Sequence, residues 1–286
     1  MDHPTILVLT SSAEPMECFA GEIIQSRIGS ALVIVDEQRK APGQQEQSFT
    51  RVRPDRLDQL YCLLASARES TTVAVSPECV SAVLAFLAEF PGTADEFTSI
   101  ICTATPHADS QQTAIETLTR LSHIGASPSK LGLLFTQAPR EISVHEAFSQ
   151  LTASVKNSHF PNISFDAVLH QSTAFKRARD LRLPVNGILN GHLDFEATLQ
   201  QARLADAPDH ILHTLARKVL AQRALLGCRP AITRALDALG LSCIAPAESL
   251  REMTLDPGSP HSEPTFQEDD MTASAESTTD HAQVQH

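Results

Sequence analysis

Apolar positions gather in short runs separated by polar turns. Ile6 to Leu9 form the first run and Leu32 to Val35 the second, with a polar turn and an amphipathic stretch between them. Pro4 to Asp36 therefore predicts a strand, a loop, a helix and a second, parallel strand. The pattern repeats. Pro54 opens a helix with Leu57, Leu60, Tyr61 and Leu64 at core spacing, and Thr71 to Val75 is a β-branched strand. Ser76-Pro77 then turns into a helix carrying Val80, Val83, Leu84, Leu87 and Phe90, which Pro91-Gly92 stops. Phe97 to Thr105 predicts a buried central strand, and Asp109 or Ser110 caps a helix that ends at Gly125. A strand over Lys130 to Thr136, a helix over Ser143 to Lys156 and a short strand over Phe165 to Leu169 continue the series. Alternation of this kind predicts the α/β class, a parallel sheet covered by helices on both faces.

Two stretches break the alternation. Arg39 to Thr50, polar and interrupted by Pro42-Gly43, predicts a surface loop. From Asp194 three helices are expected without strands between them: Asp194 to Leu204, Asp209 to Leu226 and Arg229 to Leu239. Beyond Leu250 the chain is rich in Ser, Thr, Pro and acid. Too few apolar residues remain there to offset an ordering entropy of about 1–2 kcal/mol per residue, which predicts a disordered acidic tail. The expected organisation is an α/β domain over 1–190, a helical extension over 191–245 and the tail over 246–286.

Composition narrows the class without naming a function. At 286 residues and 42% apolar content the chain can bury a sizeable core. No apolar run approaches the length of a membrane span, and the N-terminus lacks the basic-then-apolar form of a signal peptide, so a cytoplasmic protein with no membrane span is expected. Cys18, Cys62, Cys79, Cys102, Cys228 and Cys243 show no CxxC spacing and predict buried free thiols. From Arg251 onward eight acidic residues stand against one basic, so −7 of the net −12 lies in the tail and −5 in the body. That balance disfavours direct DNA binding by the body while leaving room for a local basic face.

Candidate chemistry lies where the first strand ends, because open parallel sheets bind ligands beyond the carboxyl ends of their strands. A phosphate-binding loop there reads GxxxxGK[ST], its glycines exposing backbone N–H groups and its lysine reaching the outer phosphates. Here Thr10, Ser11, Ser12, Ala13, Glu14, Pro15 and Met16 stand in that place, with no glycine and no lysine. Ser11, Ser12 and Glu14 also lack the GxSxG elbow of a nucleophile. Asp36, with Glu37, could hold a cation at the end of the second strand, although strand-end acids are mostly solvated. Thr105, Pro106, His107 and Asp109 rim the same crevice. His210 and His213 lie one helical turn apart with no evident third metal ligand. Lys176, Arg177, Arg179 and Arg182 form a basic cluster that reads as a solvated face or as a docking face for DNA phosphates, an acidic partner or the acidic tail.

The segments VAVSPECVSAVLAFLAEFPGTADEFTSIICTATPHADSQQTAIETLTRLSHIGASPSKLGLLFTQA, FDAVLHQSTAFKRARDL, DFEATLQQA and LARKVLAQRALLG together carry a resemblance. In order and spacing they resemble the StbB family of plasmid stability and conjugation proteins, in the ParA/MinD-like branch of P-loop NTPases, over most of Pro4 to Leu239. The resemblance implies a P-loop-like fold and a role in plasmid maintenance or conjugative transfer. It also implies an StbA-like DNA-binding plasmid protein as partner and a possible homodimer. The chain departs from the family at the first loop, at Ser76-Pro77, where an acid and small residues sense the γ-phosphate, and at Thr136-Gln137, where an asparagine reads adenine. The resemblance thus implies that Thr10, Ser11, Ser12, Asp36, Ser76 and Thr136 are the remnants of a cofactor site. The expectation is a pseudo-ATPase without a nucleotide cofactor; the alternative is a divergent ATPase using ATP and Mg²⁺.

Overall fold

A computed structural model of the chain describes residues 3–37, 49–158 and 163–241. The expected acidic tail and most of the expected loop from Arg39 lie outside the described residues. β1 (Thr5–Leu9) leads through α1 (Pro15–Cys18) and α2 (Ala20–Ile28) to β2 (Ala31–Val35). Next come β3 (Phe49–Val52), α3 (Leu57–Ser66), β4 (Thr71–Val75), α4 (Pro77–Glu89), β5 (Ser99–Ala104) and α5 (Ala108–Ile124). β6 (Leu131–Ala138), α6 (Val144–Ala147), α7 (Ser149–Ser158) and β7 (Val168–His170) complete the alternation. Four helices close the described chain: α8 (Thr173–Asp180), α9 (Val185–Leu189), α10 (Phe195–Leu204) and α11 (Asp209–Ala238).

The strands form one parallel sheet in the order β3-β2-β4-β1-β5-β6-β7. Side chains alternate along each strand, so β1 feeds both faces. Leu7 and Leu9 join the layer of α3, α4, α5 and α7, while Ile6 and Val8 join that of α1, α2, α8, α9 and α11. The sheet is therefore covered on both faces, as the alternation predicted. α2 packs so closely on β4 that a Cβ at Gly21 would collide with the Ala74 side chain.

Three local expectations need correction. Phe49 and Thr50 begin an edge strand, β3, rather than ending a loop. Its four residues, FTRV, hold only two apolar side chains and are too short to show a period. The expected helix over Ser143 to Lys156 is broken at Phe148, which is fully buried with a non-helical φ of −117° and ψ of 40°. The two helices expected after Asp209 are one 30-residue helix that runs through Pro230. Pro230 removes one backbone donor, but Leu225, Ile232, Ala235 and Leu236 anchor both sides of it in the core. The extension expected after Asp194 thus packs as part of a layer of the sheet domain. Among the described residues, no helix is long and apolar enough to cross a membrane.

Candidate functional site

β1 and β5 are neighbours whose outgoing helices lie on opposite faces, α1 and α2 in one layer and α5 in the other. Right-handed crossovers on opposite faces carry the chain away in opposite directions and leave a crevice at the strand ends. The segment from Thr10 to Glu14 meets Thr103 of β5 and Ser110 of α5 there.

The crevice is organised by Glu17, in the single turn of α1, with a relative exposure of 0%. The Ser12 backbone N–H and hydroxyl donate to Glu17 Oε2 at 2.6 and 2.7 Å. The Ser11 hydroxyl lies 3.2 Å from Oε1, as does that of Thr136, and Thr103 adds another side-chain hydrogen bond. Around this shell, Ser11 N–H donates to Thr103 Oγ1 at 3.3 Å, and the Ser11 and Ser110 hydroxyls meet at 2.5 Å. Ser110 Oγ in turn accepts from Thr105 N–H at 2.8 Å. Residues from β1's loop, α1, β5, α5 and β6 are thereby tied to one carboxylate. Burial pushes the Glu17 carboxyl above its ordinary range, while the hydrogen bonds from Ser12, Thr103 and Thr136 pull against that shift.

The remaining candidates divide. Thr10 is buried and its hydroxyl donates to Val75 O at 2.7 Å, pinning the end of β1 to β4. Ser76 occupies the N-cap position of α4, but its hydroxyl donates to Val35 O at 3.1 Å instead of capping the helix. Asp36 forms an ion pair with Arg51 of β3 at 3.3 Å. Ser11, Ser12 and Thr136 are brought together on Glu17, whereas Asp36 and Ser76 hold the ends of β2, β3 and β4. Asp109 and Ser110 both lie inside α5, whose N-cap position is His107, and Ser110 serves the crevice rather than the cap. His210 and His213 are exposed, and no group of three metal-ligating side chains occurs among the described residues. Cys79 and Cys102 are buried as expected, but Cys18 and Cys62 lie at the surface.

The basic cluster borders the same loop. Ala174, Phe175 and Ala178 bury one face of α8, while Lys176, Arg177, Arg179 and, just beyond the helix, Arg182 are exposed. Arg179 donates to Ala13 O at 3.3 Å and so braces the loop from outside. None of the four forms an ion pair among the described residues.

Glu17 was missed in the sequence, where Glu14 drew attention instead. The available signal was its place in the apolar stripe of Met16, Ala20, Ile23 and Ile24, all of which are buried. A carboxylate at such a position must find donors, and this loop supplies hydroxyls for it. No family model matches the chain and no curated protein matches it.

Proposed function

We propose that this chain is a nucleotide-incompetent, ParA/StbB-like scaffold that works beside a DNA-binding, StbA-like plasmid protein in plasmid stability or conjugative transfer. The plasmid setting rests on the sequence resemblance alone. Incompetence toward nucleotide rests on one observation, the Glu17 carboxylate enclosed by donors from the loop and from Thr136 of β6. A triphosphate directed to the same donors meets groups already engaged and, when Glu17 is ionised, a like charge. Two unit charges about 4 Å apart repel by about 4 kcal/mol at the effective dielectric of a protein surface, roughly a thousandfold in affinity. The loop also lacks the glycines and lysine that would outweigh this term.

Isothermal titration of the full chain with ATP and Mg²⁺ tests the reading. The expected result is no saturable heat. Micromolar affinity with turnover overturns it in favour of the divergent ATPase.

The four exposed cations around α8 favour a second reading, direct contact with DNA phosphates. It requires duplex binding that weakens steeply with salt and falls when Arg177 and Arg179 are neutralised. Indifference to duplex at low salt removes it.

A further inference from the structure

Among the described residues Glu17 is held by hydroxyls and one backbone N–H, with no cation among its hydrogen-bond partners. Buried carboxylates ordinarily pair with a cation, whereas the groups that meet this one are neutral donors arranged around its two oxygens. The direction of the protons supports that description. The Ser11 hydroxyl has one proton, and giving it to Glu17 leaves Ser110 as the donor in the pair at 2.5 Å. Ser110 can serve because its oxygen already accepts from Thr105 N–H. The chain of donors therefore runs from β5 and α5 toward the carboxylate.

Local backbone geometry turns the carboxylate inward. α1 ends after four residues, and Phe19, with φ −99° and ψ 2°, separates it from α2. Ser11 and Ser12 are only six and five residues from Glu17. Their contact is thus an intramolecular one, with an effective concentration on the order of millimolar or above, against which an external ligand must compete.

We propose that Glu17 is a self-ligand: it fills the switch-point crevice in cis and locks the β1–α1 loop in one arrangement, an autoinhibitory contact that closes the crevice to outside anions. This rests on reading the crevice as a ligand site that no longer takes nucleotide, but its test is separate. Removing the carboxylate leaves a seat of matching donors that a small free carboxylate can enter. Formate is the probe. In E17A, tens of millimolar sodium formate should raise Tm by about 2 °C or more relative to sodium chloride at the same ionic strength, with no such difference in the wild type. Equal responses in the two proteins, or no formate-specific rise in E17A, overturn the proposal. Should E17A fail to fold, E17Q provides the second test, because its amide cannot satisfy every donor of the seat at once. Hydrogen exchange at the Ser12 amide should be about tenfold faster in E17Q than in the wild type, and an equal rate overturns the self-ligand. Tight ATP binding by the wild type would remove the scaffold reading while leaving the formate result to stand or fall by itself.

Discussion

Glu17 and Glu22 lie five residues apart at the start of the same helical layer, and they are held in different ways. Glu22, in α2 and partly buried, accepts from the backbone N–H groups of Val185 and Asn186 at 2.7 and 3.3 Å. Those donors belong to the first residues of α9, so this side chain, together with Gln25, which accepts from Asn186 Nδ2 at 2.8 Å, seats that helix against α2. Glu17 instead gathers one backbone N–H and four hydroxyls, two from the β1–α1 loop and one each from β5 and β6. Burial raises the pKa of both carboxyls, and hydrogen bonds oppose the shift in both. Backbone donors cannot turn away when their acceptor leaves, whereas hydroxyls can rotate to new partners. The Glu22 contact therefore behaves as a structural joint, and the Glu17 contact as an adjustable lock.

The largest expected effect follows from breaking the joint. E22A strands two backbone N–H groups and should cost about 2–3 kcal/mol in urea unfolding, while E22Q, whose amide oxygen still accepts, should cost under about 1 kcal/mol. Equal losses in the two variants would show that the hydrogen bonds to α9 do not set the size of the effect. At the lock, T136V should cost about 1–1.5 kcal/mol. Thr136 is fully buried, and its single hydroxyl proton can serve either Ala104 O at 3.0 Å or Glu17 Oε1 at 3.2 Å. Valine keeps the shape and removes both options, while Ser11 and Ser12 remain to hold the carboxylate. A loss as large as that of E22A would erase the distinction between the two seats.

The sheet was legible because short apolar runs and period-3.6 stripes are local properties of the sequence. Ile6 to Leu9, Thr71 to Val75 and the strand within Phe97 to Thr105 were placed by such runs alone. Phe49–Val52 was not, because an edge strand of four residues is specified by its neighbour β2 and not by its own pattern. The helix through Pro230 was also hidden, since a local rule that breaks helices at proline yields there to tertiary packing on both sides. For the site, absent glycines and lysine showed what the first loop cannot do. What replaces them was not visible, because the donors converging on Glu17 come from positions as distant as Thr136 and meet only when β1, β5 and β6 are side by side.

The mildest test of the comparison is the pH dependence of stability. Both carboxyls titrate above the ordinary 4.5 in the folded protein, so at pH values just above 4.5 the folded state binds more protons than the unfolded chain. Their contribution is fully favourable below the unfolded pKa and declines as pH rises through the folded values. Acidifying toward 4.5 should therefore strengthen the fold through these two groups, opposite to the usual behaviour of a salt-bridged carboxylate. Each group can add at most about 1.4 kcal/mol per pH unit to the slope, and only within its own window. E17Q and E22Q should each remove a fraction of that slope in urea unfolding measured across a pH series. If the lock holds its carboxylate as proposed, the share removed by E17Q belongs to a seat that formate can refill in E17A. Absence of that refilling would leave the slope removed by E17Q without a lock behind it, and the contrast between joint and lock would fail.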